Sequence, residues 1–214
     1  MSFPPGQKLY HITPLDALPD IVKFNHLFSN VIMDQLAIGG TNIGISNLKE
    51  KRKTMPVPCH EGTFVGDYVP FYFCPRSVML YLIYRGNHHE LAYKGGQGPI
   101  LHLEYDLQEV LNWANVQQRP WAFSLSNASA FYTQFRCQVE EMDRINWGAV
   151  AALDWQAPEI KEGKQAEFLV HESVPWHLVQ RIGVISQPIA TGVLSTIAHA
   201  DHRPTVQIIQ GWYY

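Results

Sequence analysis

Residues 8–13 read Lys8-Leu9-Tyr10-His11-Ile12-Thr13, an alternating run with aromatic and β-branched members that predicts a short strand. Thr13-Pro14 then reads as a helix start, with Thr13 as N-cap and Pro14 as first helical residue. Leu15, Leu18, Ile21 and Val22 follow at helical spacing. Downstream, residues 67–74 predict a strand interrupted by Pro70 at an edge or bulged position. Met79, Leu80, Ile83 and Tyr84 predict a helix, 95–99 a glycine-rich turn, and 100–105 an alternating strand. Residues 140–147 read as helical. Strands are predicted at 166–171, 182–186 and 206–209, with a short helix from Pro175 between the first two. Short strands mixed with short helices, without a repeating βαβ pattern, indicate the α+β class. Residues 29–62 hold Gly39-Gly40 and Gly44 and no sustained period, which predicts a long loop with at most one short helix, around 46–53. Residues 116–133 are aromatic and polar without a regular period.

A chain of 214 residues with 46% hydrophobic and 16% charged residues suffices for one substantial core, so residues 1–214 are read as one domain. It shows neither a charged start followed by an apolar stretch nor an apolar run of about 18 residues, which predicts a cytoplasmic protein without membrane contact. Cys59, Cys74 and Cys137 are odd in number and far apart in sequence, with no Cys-x-x-Cys pair. They are read as reduced and structural, with neither a disulfide framework nor a metal site. A net charge of −3 counts against a protein that grips nucleic acid mainly through phosphates. Against this, Lys49, Lys51, Arg52 and Lys53 cluster within five residues, and a short single strand held by stacking needs few phosphate contacts. Phosphate-loop, dinucleotide-fingerprint, serine-elbow and His-Glu-x-x-His motifs are all absent.

Three stretches carry chemistry-bearing side chains. His11 and Thr13 share one face of the first strand, a pair that equally suits a satisfied core histidine. Glu167, in Gln165-Ala166-Glu167-Phe168-Leu169-Val170, stands at the entrance of an apolar strand, where a carboxylate is costly unless partnered or open to a cleft. A solvated strand edge is the other reading. The basic run 49–53 fits either a solvated helix face or a phosphate contact, and Tyr68, Phe71, Tyr72 and Phe73 fit either core or a ligand platform.

The order of a histidine strand, a basic loop, an aromatic strand and a late glutamate changes this balance. With Asn47-Leu48-Lys49-Glu50-Lys51-Arg52, Val69-Pro70-Phe71-Tyr72-Phe73-Cys74-Pro75-Arg76-Ser77, Gly95-Gly96-Gln97 and the terminal Trp212-Tyr213-Tyr214, the chain resembles the DarT family of DNA ADP-ribosyltransferase toxins over nearly its whole length. The resemblance implies an ADP-ribosyltransferase-like fold with central split and twisted sheets and short flanking helices. It implies NAD⁺ as co-substrate and thymine in single-stranded DNA as acceptor, with N3 as the modified atom. It also implies a macrodomain antitoxin of the DarG type as partner. His11, Ile12, Thr13, Asp20, Phe28 and Arg52 fall at cofactor-binding positions. Asp20 stands where a relative is expected to have glycine, so any contact there runs through the backbone. The element 33–53 corresponds to the NAD⁺-binding loop and 116–167 to the substrate-facing loop, where Trp121, Phe123, Phe131 and Tyr132 are candidates for stacking on bases. Glu167 and Arg52 are the catalytic pair implied. A transferase acting on protein or RNA, and a non-catalytic NAD⁺-binding module, are the competing readings.

Overall fold

The computed structural model describes residues 2–214. Ten strands, β1 (Lys8–Pro14), β2 (His26–Phe28), β3 (Tyr68–Tyr72), β4 (Ile100–Asp106), β5 (Trp121–Ser124), β6 (Phe135–Arg136), β7 (Glu167–His171), β8 (Ser173–Pro175), β9 (Arg181–Val184) and β10 (Thr205–Ile208), alternate with eight helices. These are α1 (Leu18–Phe24), α2 (Asn30–Gln35), α3 (Ser46–Arg52), α4 (Val78–Arg85), α5 (Leu107–Val116), α6 (Trp147–Ala151), α7 (Pro158–Gly163) and α8 (Gln187–Ile197). Eight strands form one sheet in the order β10-β9-β4-β1-β3-β7-β5-β6, antiparallel throughout except for β9 and β10, and β2 pairs with β8 in a separate ribbon. The mixed α/β architecture around a large central sheet agrees with the predicted class.

The sheet is split at its middle. Along β1, seven residue pairs join it to β4, whereas β1 and β3 meet only at Tyr10 and Tyr72. That register would next set Ile12 opposite Pro70, and Pro70 has no N–H to donate to a ladder. The proline that predicts an edge therefore lies in an interior strand, where it makes an internal edge. Its carbonyl is free and accepts from His11 Nδ1 at 2.8 Å.

Several boundaries differ from expectation. Pro14 ends β1 rather than starting a helix. The helical spacing at 15–22 is a 3-10 turn followed by α1, with Pro19 near its start. The 29–62 region holds α2 as well as α3, because Ser29 accepts from the Ile32 N–H as an N-cap. Residues 140–147 form a 3-10 segment, Val139–Arg144, followed by α6 rather than one helix. Between 116 and 167 lie β5, β6, α6 and α7, so this region is only in part a loop. Trp121 and Phe123 belong to the core, stacked and packed around Phe168, while Phe131 and Tyr132 project from the β5–β6 loop with 93% and 67% exposure.

β4 does not alternate between wet and dry faces. His102 and Glu104 are as buried as their apolar neighbours, because the last residues of the chain cover that face. Trp212 and Tyr213 pack edge-on against the His102 ring, and Arg181 donates Nε and Nη2 to the two oxygens of Glu104 at 3.0 and 2.8 Å. The buried carboxylate is thus paired rather than stranded. Three of the motifs quoted above interlock here. The Gln97 amide bonds the Tyr214 backbone from both its ends, Tyr214 donates its hydroxyl to the Arg76 carbonyl at 2.9 Å, and the Arg76 guanidinium lies over the Tyr214 ring. Gly183 lets the indole of Trp212 approach the backbone, since a Cβ there would stand 2.2 Å from it.

Candidate active site

The split in the sheet opens a cleft of about 460 Å³ between β1, the β2–β8 ribbon, α2 and α3. Five expected cofactor residues line it. His11, Ile12 and Thr13 come from β1, Asp20 from α1 and Phe28 from β2. Phe28 is flanked by the stacked His26 ring and by Phe24 edge-on, which gives the cleft an aromatic wall that the sequence reading missed. The stretch 38–44 and the side of α3 carrying Lys49 and Lys53 form the opposite wall. Lys49 and Lys53 share one helical side and face the cleft, whereas Lys51 of the same basic run is exposed to solvent.

His11 is held neutral. Burial lowers its pKa to about 4, Lys49 nearby adds to the lowering, and the Pro70 bond opposes it. A carbonyl oxygen only accepts, so the proton sits on Nδ1 and the Nε2 lone pair is left to accept from a ligand.

A second, smaller cleft of about 160 Å³ adjoins the first, sharing Asn30, Gly44, Lys49, Pro70, Tyr72 and Met79 with it. Arg52 and Glu167 meet there. Arg52 Nη1 donates to Glu167 Oε1 at 3.2 Å and Nη2 to Oε2 at 2.9 Å, a forked contact. Glu167 is 2% exposed, so the solvated-edge reading does not hold for it. Its Oε1 also accepts the Ala128 N–H at 3.0 Å, and its own N–H donates to Ser124 Oγ at 3.2 Å. Oε2 has Arg52 as its one partner, which leaves it a lone pair, and Glu167 lines this cleft. Burial works against the Arg52 charge, but the Glu167 carboxylate outweighs it and raises the guanidinium pKa above its usual value.

Local sequence explains the placement. Glu167 opposes Tyr72 across β3–β7, and Tyr72 opposes Tyr10 across β1–β3, so the glutamate lies in the row that marks the split. The end of α3 reaches this row because Gly66 lies against it, where a Cβ would come within 3.1 Å of the Lys53 Cα. Tyr72 lines both clefts, and burial beside Glu167 raises its phenol pKa. It was legible only as one member of an aromatic run. Asn127 and Ser129, in the β5–β6 loop, also line the second cleft and carried no sequence signal.

The fold places two of the cysteines where their sequence spacing gave no hint. Cys59 and Cys137, distant in sequence, come together in the fold beside His60, away from both clefts. The three cysteines are free.

Comparison with known proteins agrees with this fold. The family model described as DarT, ssDNA thymidine ADP-ribosyltransferase, matches residues 10–214. A DNA ADP-ribosyl transferase of Thermus sp. (strain 2.9) is 37% identical over 216 residues, covering 100% of this chain and 99% of the relative. One of Thermus aquaticus is 35% identical over 216 residues, covering 100% and 92%. The structure of Thermus sp. 2.9 DarT in complex with ADP-ribosylated ssDNA superposes with a TM-score of 0.89 at 36% identity, over 100% of this chain and 99% of that one. The same Thermus protein in complex with NAD⁺ gives 0.82 over 99% and 100%. Thermosipho africanus DarTG, in complex with ADP-ribose, shares the fold at 16% identity with a TM-score of 0.76, over 97% of this chain and 51% of that one. With a split sheet, a cleft along the split, and a family match across nearly every residue, the chain belongs to the DarT family of single-stranded-DNA thymidine ADP-ribosyltransferases.

Proposed function

We propose that this chain, acting as one catalytic domain over 1–214, moves ADP-ribose from NAD⁺ to N3 of thymine in single-stranded DNA, with Glu167 and Arg52 as its catalytic pair. The observation that carries this is the forked Arg52–Glu167 contact in a cleft adjoining a larger one lined by His11, Ile12, Thr13, Asp20 and Phe28. The larger cleft is the seat of the nucleotide. His11 Nε2 accepts from a ribose hydroxyl, Phe28 and its aromatic neighbours lie against the adenine, and the element 33–53 closes over the phosphates. The bound NAD⁺ of the Thermus relative supports the choice of co-substrate.

Breaking the nicotinamide–ribose bond builds positive charge on the ribose. Glu167 Oε2, with its spare lone pair, stabilises that charge through a ribose hydroxyl more strongly in the transition state than in the ground state. Thymine N3 then bonds to the ribose C1′ as nicotinamide leaves, and its proton passes to solvent. Arg52 remains protonated and stabilises the emerging thymine anion through donors not used on Glu167. Protein side chains carry this chemistry without a metal. Among the described residues, a cluster of possible metal ligands, Cys59, His60 and Cys137, lies outside both clefts and has no part in this chemistry.

Thymine N3 lies on the Watson–Crick edge, so the base is presented unpaired, with the 116–167 region as its platform. The Thermus complex with ADP-ribosylated ssDNA supports a single strand as partner. We infer from the family membership a toxin role in the cytoplasm, held in check by a macrodomain antitoxin of the DarG type. No helix among the described residues is long and apolar enough to cross a membrane.

Incubation with NAD⁺ and a mixed-sequence oligonucleotide, read by mass spectrometry, tests the reading. We expect ADP-ribose on thymine of the single strand and little on its duplex. Equal labelling of both forms, labelling that survives replacement of every thymine by cytosine, or labelling of RNA or protein alone overturns it.

A further inference from the structure

Away from both clefts, Cys59, His60 and Cys137 each bring one ligand atom to within 4.8 Å of the others. Cys59 and His60 belong to the tight turn after α3, closed by the Pro56–Phe64 bridge and by the His60 N–H to the Val57 carbonyl. Cys137 directly follows β6. The His60 ring is already oriented. Its Nε2 lies 2.8 Å from the Trp121 carbonyl, which only accepts, so Nε2 carries the proton and Nδ1 keeps its lone pair. Tyr68 stacks on the ring and fixes its plane. A backbone carbonyl that accepts from one imidazole nitrogen and so frees the other is the outer support that metal-bound histidines have. The residues are half-buried, which leaves an entry path from solvent.

We propose that Cys59, His60 and Cys137 form a binding site for a thiophilic divalent cation of the zinc class. Two sulfurs and one imidazole suit zinc and exclude magnesium or calcium, which take oxygen ligands, and water completes a tetrahedral set. Binding converts two thiols to thiolates and releases two protons, with no change of oxidation state. The site joins two segments that hold the catalytic pair. The turn carrying Cys59 and His60 continues from the helix that ends at Arg52, and β6 returns from the loop whose Ala128 N–H holds Glu167. Cys59 also packs against the cluster of Val57, Val65, Tyr68, Ala122, Ala128 and Leu169. The cation is therefore a staple that positions the walls of the active site, touching neither substrate.

The test uses the full chain, reduced and stripped of metal. Calorimetric titration with zinc is expected to show one equivalent bound, and Tm is expected to rise by about 5–10 °C at a hundredfold excess over Kd. Cobalt in place of zinc is expected to give thiolate-to-metal charge-transfer absorption. Zinc is also expected to protect Cys59 and Cys137 from alkylation, a measurement that needs no variant. Cys137→Ser removes the charge-transfer band and the Tm rise, and His60→Ala weakens binding at least tenfold. Absence of saturable binding, a cobalt spectrum without sulfur ligation, or a Cys59–Cys137 disulfide whose reduced form ignores zinc overturns the proposal.

Discussion

Replacing Glu167 by glutamine separates the chemistry of the site from its architecture. In the folded protein the carboxylate accepts two hydrogen bonds from Arg52 and one from the Ala128 N–H. Glutamine keeps the shape and one oxygen for these donors but removes the charge. A unit charge about 4 Å from a developing oxocarbenium ion contributes about 4 kcal/mol at the effective dielectric of such a site. Loss of one preorganised contact to transition-state charge costs about 2.7–4 kcal/mol elsewhere. Both figures give a fall in turnover of at least about a hundredfold. The NAD⁺ ground state has its positive charge on the nicotinamide, so affinity for NAD⁺ is expected to change less than about tenfold. The substitution also leaves the Arg52 guanidinium beside a neutral group and is expected to destabilise the fold by about 1–3 kcal/mol. Glu167→Ala removes the partner altogether and is expected to cost about 3–5 kcal/mol. Turnover on a thymine oligonucleotide at saturating NAD⁺, Kd by calorimetry and circular dichroism of each variant supply the three readouts. Parental turnover by folded Glu167→Gln, or a loss confined to NAD⁺ affinity, refutes the role given to this residue.

His11→Ala is expected to weaken NAD⁺ binding by about 1–3 kcal/mol, measured by calorimetry, since it removes a partly desolvated acceptor; unchanged affinity returns His11 to a packing role. Phe131→Ala and Tyr132→Ala are each expected to weaken single-stranded DNA binding by about 1–3 kcal/mol, read by fluorescence anisotropy, with NAD⁺ affinity unaltered. Acid is expected to destabilise the protein through His11 and His102, both held neutral down to about 4 by burial. The unfolded chain protonates them near the ordinary 6.5, so between these values it binds more protons and stability falls as pH drops. The loss at pH 5 relative to neutral pH is about 2 kcal/mol for each histidine, checked by urea unfolding; a flat profile contradicts their neutral burial. Gly183→Ala is expected to cost about 1–3 kcal/mol, seen as a lower Tm, because its Cβ would meet the Trp212 indole at 2.2 Å.

β1 was legible from its alternation with aromatic and β-branched members, and β7 as a short apolar run with Glu167 at its entrance. β4 was legible as a strand but not in its burial. Its His102 and Glu104 face a cover formed by the chain terminus and a pairing with Arg181, contacts that no local period encodes. α5 escaped notice because polar residues interrupt its apolar ones, and α8 because Thr191, Gly192, Ser195 and Thr196 are poor helix formers; the stability of both comes from packing on the sheet. At the site, His11, Glu167 and Arg52 could be named because a histidine strand, a basic run and a carboxylate at a strand entrance are local features. Their convergence was not readable. It depends on Pro70 opening the sheet and on Gly66 admitting the end of α3. Trp121 and Phe123 were indistinguishable from Phe131 and Tyr132 in sequence, since only the register of β5 on β7 separates core rings from projecting ones.

The single Tyr10–Tyr72 pairing also sets how the molecule bears mechanical load. One plate, β10-β9-β4-β1, carries His11, the other, β3-β7-β5-β6, carries Glu167, and one rung of backbone ties them. A dinucleotide seated along the seam touches both banks and takes the place of the missing rungs. Loading it is expected to stiffen the joint as an added strand would, so amide exchange in β1 and β3 should slow when NAD⁺ binds while β9 and β10, far from the seam, keep their pace.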